Sequence, residues 1–179
     1  NDGGVWDLNN WSVLFQSPAV LGGPPLTLNG AAVVKSGAIG FFNDGSIVVN
    51  AGNNTTATID AQINFGFSAP CSITVSSGNN QPGKPECLIN GDISGFIPPD
   101  NLMKDGAGTL RLTGTNTYSG TNFVTAGTFW VDGVQPQSPV FLSGGTLCGD
   151  GIVGDIVMTG SSATLSPGDR PGILTCSNF

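Results

Sequence analysis

Histidine is absent from the 179 residues, and lysine plus arginine number only 5. Without an imidazole, Ser-His-Asp and Cys-His nucleophile arrangements are excluded. With so few cations and a net charge of −7, no basic stripe exists to release counterions from a phosphate backbone. Nucleic acid is therefore excluded as a partner, and anionic membrane surfaces are excluded on the same ground. Charged residues make up 9% of the chain, against roughly 25% in an average soluble domain. Helices, which need Glu, Lys, Arg and Ala for propensity and solvated faces, are expected to be nearly absent. No apolar run approaches the ~20 residues that span a bilayer. The strands also lack the alternation over about ten residues and the aromatic girdles of a membrane barrel, so no membrane insertion is expected. No initiator Met and no basic-then-apolar leader open the chain; the expectation is a processed mature form or an excised fragment.

What is present points to β structure. Gly and Pro together supply 40 residues, about 22% of the chain, nearly twice their usual share of roughly 12%. Hydrophobic residues reach 39%, too many for a disordered chain to leave in water. Short runs rich in Val, Ile, Thr and Phe recur between turn residues, as in Leu26-Thr27-Leu28, Ile47-Val48-Val49, Ser72-Ile73-Thr74-Val75 and Ile156-Val157-Met158. Asn and Gly between them supply the positive φ of tight corners. The class is all-β.

The four cysteines are even in number. Cys71 and Cys87 flank a turn-rich loop that could bring them together, which would leave Cys148 and Cys176. Four cysteines allow three connectivities, and the sequence does not choose between them. Disulfides and a secreted context are the expectation. With no Cys-x-x-Cys pair, a zinc site is not expected.

A rhythm runs through the C-terminal half. Gly108-Thr109-Leu110-x-Leu112, Gly127-Thr128-Phe129-x-Val131 and Gly145-Thr146-Leu147 share the form Gly-Thr-apolar at nearly equal intervals. Ala163-Thr164-Leu165 continues the series at the same interval, with Ala in place of Gly. A period near 20 residues suits a β-solenoid, in which each turn of chain holds a few short strands and stacks on the next at about 4.8 Å. The residue after each Thr then points inward, so Leu110, Phe129, Leu147 and Leu165 are expected to form one core stack.

The stretch from Lys104 to Gly120 (Lys-Asp-Gly-Ala-Gly-Thr-Leu-Arg-Leu-Thr-Gly-Thr-Asn-Thr-Tyr-Ser-Gly) resembles the autotransporter-associated β-strand repeat, also called the passenger-associated transport repeat. The resemblance continues through Val124-Thr125-Ala126-Gly127-Thr128-Phe129 and Ser143 to Gly154. The segment Leu165-Ser166-Pro167-Gly168-Asp169-Arg170-Pro171-Gly172-Ile173-Leu174-Thr175 is similar to one that closes such units. It is dense over residues 88–179. Trp6-Asp7-x3-Asn10-Trp11 and Ala38 to Asp44 resemble a lead-in only loosely. Thr121-Asn122-Phe123 departs from the usual Gly-Thr-Thr, and Phe129-Trp130 makes a bulky rung. The resemblance implies a right-handed parallel β-helix on a bacterial surface or in a secreted protein. The implied role is structural, export-assisting or adhesive, and no catalytic residues come with it.

Other candidate groups read more plainly. Asp150 and Asp155 flank Gly151-Ile152-Val153-Gly154. Clustered carboxylates can cleave polysaccharides, but Asp beside Gly ordinarily forms turns. Calcium is the one ion that such Gly-rich Asp loops hold, yet the repeated Gly-Gly-x-Gly-x-Asp nonapeptide is missing. No cofactor is expected. Trp6, Trp11 and Trp130 could stack on sugars if exposed and are read as core aromatics. Asn10-Trp11-Ser12, Asn53-Asn54-Thr55 and Asn54-Thr55-Thr56 fit the glycosylation triplet, read as incidental. Arg111 alternates with Leu110 and Leu112 and is expected to face solvent, and Arg170 to sit in a turn.

The sequence therefore predicts one continuous all-β domain over 1–179, a right-handed parallel β-helix at least over 88–179. It would have about eight coils and a length of roughly 35–40 Å. For residues 1–87, with their Cys71/Cys87 loop, a β-sandwich or jelly roll gives a similar turn spacing and remains open. The expected role is a non-enzymatic extracellular structural module. It associates with itself end to end into a fibre, or serves as a stalk or adhesin segment among neighbouring repeats. A glycan-binding or polysaccharide-cleaving β-helix is the alternative, and an inert spacer within a larger passenger is a third reading.

Overall fold

A computed structural model describes residues 4–7, 12–16, 25–42, 45–66, 70–78, 83–95, 100–168 and 172–179, with the side chains of 12–16 and 42 left aside. Asn10, Trp11, Arg170 and Asn43-Asp44 lie outside the described residues. The described residues hold 21 strands and no helix. Every strand pairing among them is parallel. Parallel neighbours cannot be joined by tight hairpins, so the chain must travel around a full turn before it meets itself. The result is a parallel β-helix with three walls.

The first wall has seven strands: β3 (Leu26–Asn29), β6 (Ser46–Asn50), β9 (Cys71–Val75), β12 (Leu102–Asp105), β14 (Asn122–Val124), β17 (Val140–Leu142) and β20 (Ile156–Met158). The second has eight: β1 (Val5–Asp7), β4 (Val33–Lys35), β7 (Ala57–Ile59), β10 (Cys87–Ile89), β13 (Thr109–Leu112), β15 (Thr128–Val131), β18 (Thr146–Gly149) and β21 (Thr164–Pro167). The third is interrupted. It begins with β2 (Ser12–Gln16), β5 (Ala38–Phe42), β8 (Gln62–Phe65) and β11 (Ile93–Gly95), and resumes as the short pair β16 (Val134–Gln135) and β19 (Ile152–Val153). Single bridges at Thr115–Val134 and Ile152–Thr175 extend it. Eight rungs at the usual strand spacing give an axial rise of about 34 Å.

The same walls run through both halves. β3 pairs with β6, and β6 with β9, in the mode that later joins β12 to β14. The sandwich alternative for residues 1–87 is thereby overturned, because a sandwich is built from antiparallel neighbours.

Alternation sorts the side chains. In β9 the pattern is buried, intermediate, buried, intermediate, buried over Cys71 to Val75. On the second wall Ala57, Cys87, Leu110, Phe129, Leu147 and Leu165 are successive register partners. Leu110, Phe129 and Leu147 are completely buried, and Leu165 on the last rung packs partly exposed against the core. The facing column of the first wall is Leu26, Ile47, Ile73, Lys104, Val124, Leu142 and Met158. On the third wall Ile39, Ile63 and Ile93 stack, each with no exposed surface. Burying one such side chain contributes about 1.5–3 kcal/mol.

The Gly of the Gly-Thr motif has a geometric cause. Gly127 and Gly145 turn the corner into β15 and β18 with φ of 66° and 70°. A Cβ on Gly127 would lie 2.4 Å from the carbonyl oxygens of Gly106 and Gly108, and one on Gly145 would lie 2.3 Å from Gly127 O. Only a residue without a Cβ lets successive corners nest.

Candidate functional site

Three features of the solenoid could carry function: its polar interior, its outer walls and its outermost strands. The interior changes character at the fourth coil. Lys104 is fully buried in an otherwise aliphatic column. Its Nζ donates to the carbonyls of Asp105 (3.0 Å), Gly106 (2.8 Å) and Ala126 (3.0 Å), so it ties its own corner to the next. Burial lowers its pKa to about 8; the charges of Asp105, Cys87 and Glu86 oppose that shift. Glu86, also buried, accepts from the N–H groups of Gly78 at 3.2 Å and Thr109 at 2.7 Å. It thereby pins the loop before β10 to the following coil.

At the opposite corner Tyr118 is fully buried. Its hydroxyl donates to Asn122 Oδ1, and its ring meets Phe65 edge-on at 5.3 Å. Ser138 Oγ donates to Tyr118 O at 2.5 Å. Desolvation pushes the phenol pKa upward. On the third wall Asn116 Nδ2 donates to Gln135 Oε1 at 3.1 Å, and Asn116 Oδ1 accepts from Ile93 N at 2.9 Å. These amides replace the isoleucines of the earlier coils. Each of these groups is turned into the stack, and none opens to solvent.

On the outside of the second wall Arg111 lies 4.2 Å from the Trp130 ring centroid. It pairs with Asp132 at 2.5 Å. Trp130 Nε1 donates to the same carboxylate at 2.8 Å, and so does Asp150 N at 3.0 Å. Arg111 faces outward as its alternation requires. Trp130 is buried as expected, 6% exposed, but on the outer face of the wall, where Arg111 lies over its ring. Trp6, also read as core, is 42% exposed on the outermost strand β1.

The expected disulfides do not form: none of Cys71, Cys87, Cys148 and Cys176 is in a disulfide. Cys71 begins β9 on the first wall and Cys87 begins β10 on the second, both facing inward as small apolar side chains. Burial raises both thiols to about 12. Cys148 follows the inward Leu147 and shares the outer column of Trp130, whereas Cys176 packs against the core at the last coil. The wall itself separates that second pair.

Asp150 follows β18, and Asp155 occupies the next corner, before β20, where its Oδ1 accepts from Asn178 Nδ2 at 2.8 Å. Nothing draws the two carboxylates together. Among the described residues no three His, Cys, Asp or Glu side chains converge as a metal-ligand group. Sequence reasoning missed Lys104 and Glu86. The signal was the alternation of Leu102-Met103-Lys104, which puts Lys104 on the side of Leu102.

The described residues form a parallel β-helix filled by its own side chains, an architecture that suits an autotransporter passenger. Residues 102–131 match the passenger-associated transport repeat, so the chain carries that repeat. The chain is 36% identical over 105 residues to an extracellular serine protease of Serratia marcescens, an alignment that covers 52% of this chain and 10% of that protein. It is 32% identical over 103 residues to the adhesin BmaC autotransporter of Brucella suis biovar 1 (strain 1330), covering 54% of this chain and 3% of that protein. The chain thus spans a tenth or less of either relative. No solved structure matches it. The chain is an extracellular module of the bacterial surface or secreted kind.

Proposed function

We propose that this chain is a non-enzymatic structural module that associates end to end, building a stalk or fibre on which a surface protein displays its adhesive parts. The observation that carries the reading is the state of the outermost strands. β1 ends the eight-stranded wall on one side with all three residues exposed, and β21 ends it on the other with none fully buried. An uncovered strand presents a row of N–H and C=O groups that templates a further strand. Val5 (63% exposed) and Trp6 crown one end; Ile173 (77%) and Phe179 (80%) lie at the other. A head-to-tail contact of two different ends stacked along the solenoid axis, where no rotation closes a ring, propagates as a filament.

Sedimentation velocity and negative-stain imaging over a concentration series test this. Rods that lengthen with concentration support the proposal, whereas a monodisperse 18.1 kDa species at every concentration contradicts it.

A further inference from the structure

The outside of the first wall carries a column that neither the core nor the strand ends explain. Ser46, Ser72, Met103, Phe123, Phe141 and Val157 are successive outward register partners on that wall. The two serines belong to the early coils, and from the fourth coil onward the column is continuously apolar. Met103 is 36% and Val157 44% exposed. The Phe123 and Phe141 rings, both half-buried, sit 5.8 Å apart at an interplanar angle of 52°. Three strand intervals make this strip about 14 Å long and one side chain wide.

Its margins are polar apart from Pro139 and contain no cation. On one side run Asp105, Thr125 and Ser143, all exposed, with Thr125 Oγ1 donating to Asp105 Oδ1 at 2.9 Å. On the other side run Asn101, Thr121, Pro139 and Asp155, with Thr121 N donating to Asn101 Oδ1 at 2.8 Å. Hydroxyl, amide and carboxylate groups beside an aromatic floor are the complement of a sugar, whose C–H faces are apolar and whose edge is a row of hydroxyls. The carboxylates on both margins disfavour an anionic ligand. The strip is far smaller than the roughly 800 Å² per partner of a stable protein interface, which argues against a second copy of the chain.

We infer that the Met103–Phe123–Phe141–Val157 strip is a binding surface for an uncharged linear glycan lying along the solenoid axis. This surface is separate from the strand ends, so it stands whether or not the chain forms filaments.

Affinity electrophoresis of the whole chain through gels containing hydroxyethylcellulose, galactomannan or dextran, with dextran sulfate and poly-lysine as charged competitors, tests it. At least one neutral polymer retards the chain. The Phe123→Ala/Phe141→Ala double variant, its fold checked by circular dichroism, weakens that retardation about tenfold, while Phe123→Tyr/Phe141→Tyr stays within about twofold. Thr58→Ala, on the second wall, leaves it unchanged. The inference is overturned if no neutral polymer retards the chain, if dextran sulfate or poly-lysine alone binds, or if the alanine variant, or an unfolded tyrosine variant, is retarded like the parent.

Discussion

Lys104 on the fourth coil donates its ammonium hydrogen to the carbonyl of Ala126 on the fifth, at 3.0 Å. A charge buried in an aliphatic column thus acts as a staple between rungs. Its worth lies in the three corner carbonyls to which it donates. Lys104→Met keeps the length and the apolar stem but strands those acceptors. We expect a loss of about 1–3 kcal/mol in chemical denaturation. A variant as stable as the parent would show that the corner satisfies itself by other means.

The same residue fixes a pH dependence. The folded pKa of Lys104, about 8, lies below its ordinary value of 10.5, so between these values the unfolded chain binds more protons than the folded one. Stability conferred at this site therefore rises with pH across that window. Denaturation of the parent and of Lys104→Met from about pH 8 to pH 10.5 should show their stability difference widening with pH, and a constant difference would refute the burial cost.

The thiols of Cys71 and Cys87 act in the opposite sense. Their folded pKa values, near 12, lie above the ordinary 9.0. The unfolded thiols ionise first, so the contribution is complete below pH 9 and is lost as pH rises toward 12. The Cys71→Ala/Cys87→Ala variant should have a shallower alkaline decline than the parent. A maleimide titration of the denatured, unreduced chain should modify every cysteine, and modification of half of them or fewer would mean that disulfides form.

Inward and outward phenylalanines should differ sharply. Phe129 has no exposed surface and Phe123 is half-buried on the outer wall. Phe129→Ala is expected to cost about 3–5 kcal/mol, and Phe123→Ala under about 1 kcal/mol. Equal losses would contradict the assignment of faces.

Where the coils are short the fold was legible in the sequence. From Lys104 to Val124, on to Leu142 and then to Met158, each register step closes a coil no longer than the roughly 20 residues a compact solenoid turn requires. Gly127 and Gly145 mark the corners because nesting leaves no room for a Cβ. The earlier steps, from Leu26 to Ile47, to Ile73 and to Lys104, grow longer one after another. The added length erases the period without altering the walls, which is why a sandwich stayed open there. The cysteines misled because counting pairs ignores which wall holds each one, while the alternation in Cys71-Ser72-Ile73-Thr74-Val75 already placed Cys71 inside. Lys104 was illegible to any reading that sends every charge to solvent, since its partners are corner carbonyls from two different coils.

The central physical statement is that successive turns of chain lie in register with one inward side chain above another. Nuclear Overhauser contacts from a ring-labelled Phe129 test it most directly. The account expects cross-peaks from that ring to the methyls of both Leu110 and Leu147, each a full coil away along the chain. A Phe129 ring that reaches neither leucine, or only residues near it in the chain, would contradict the stack.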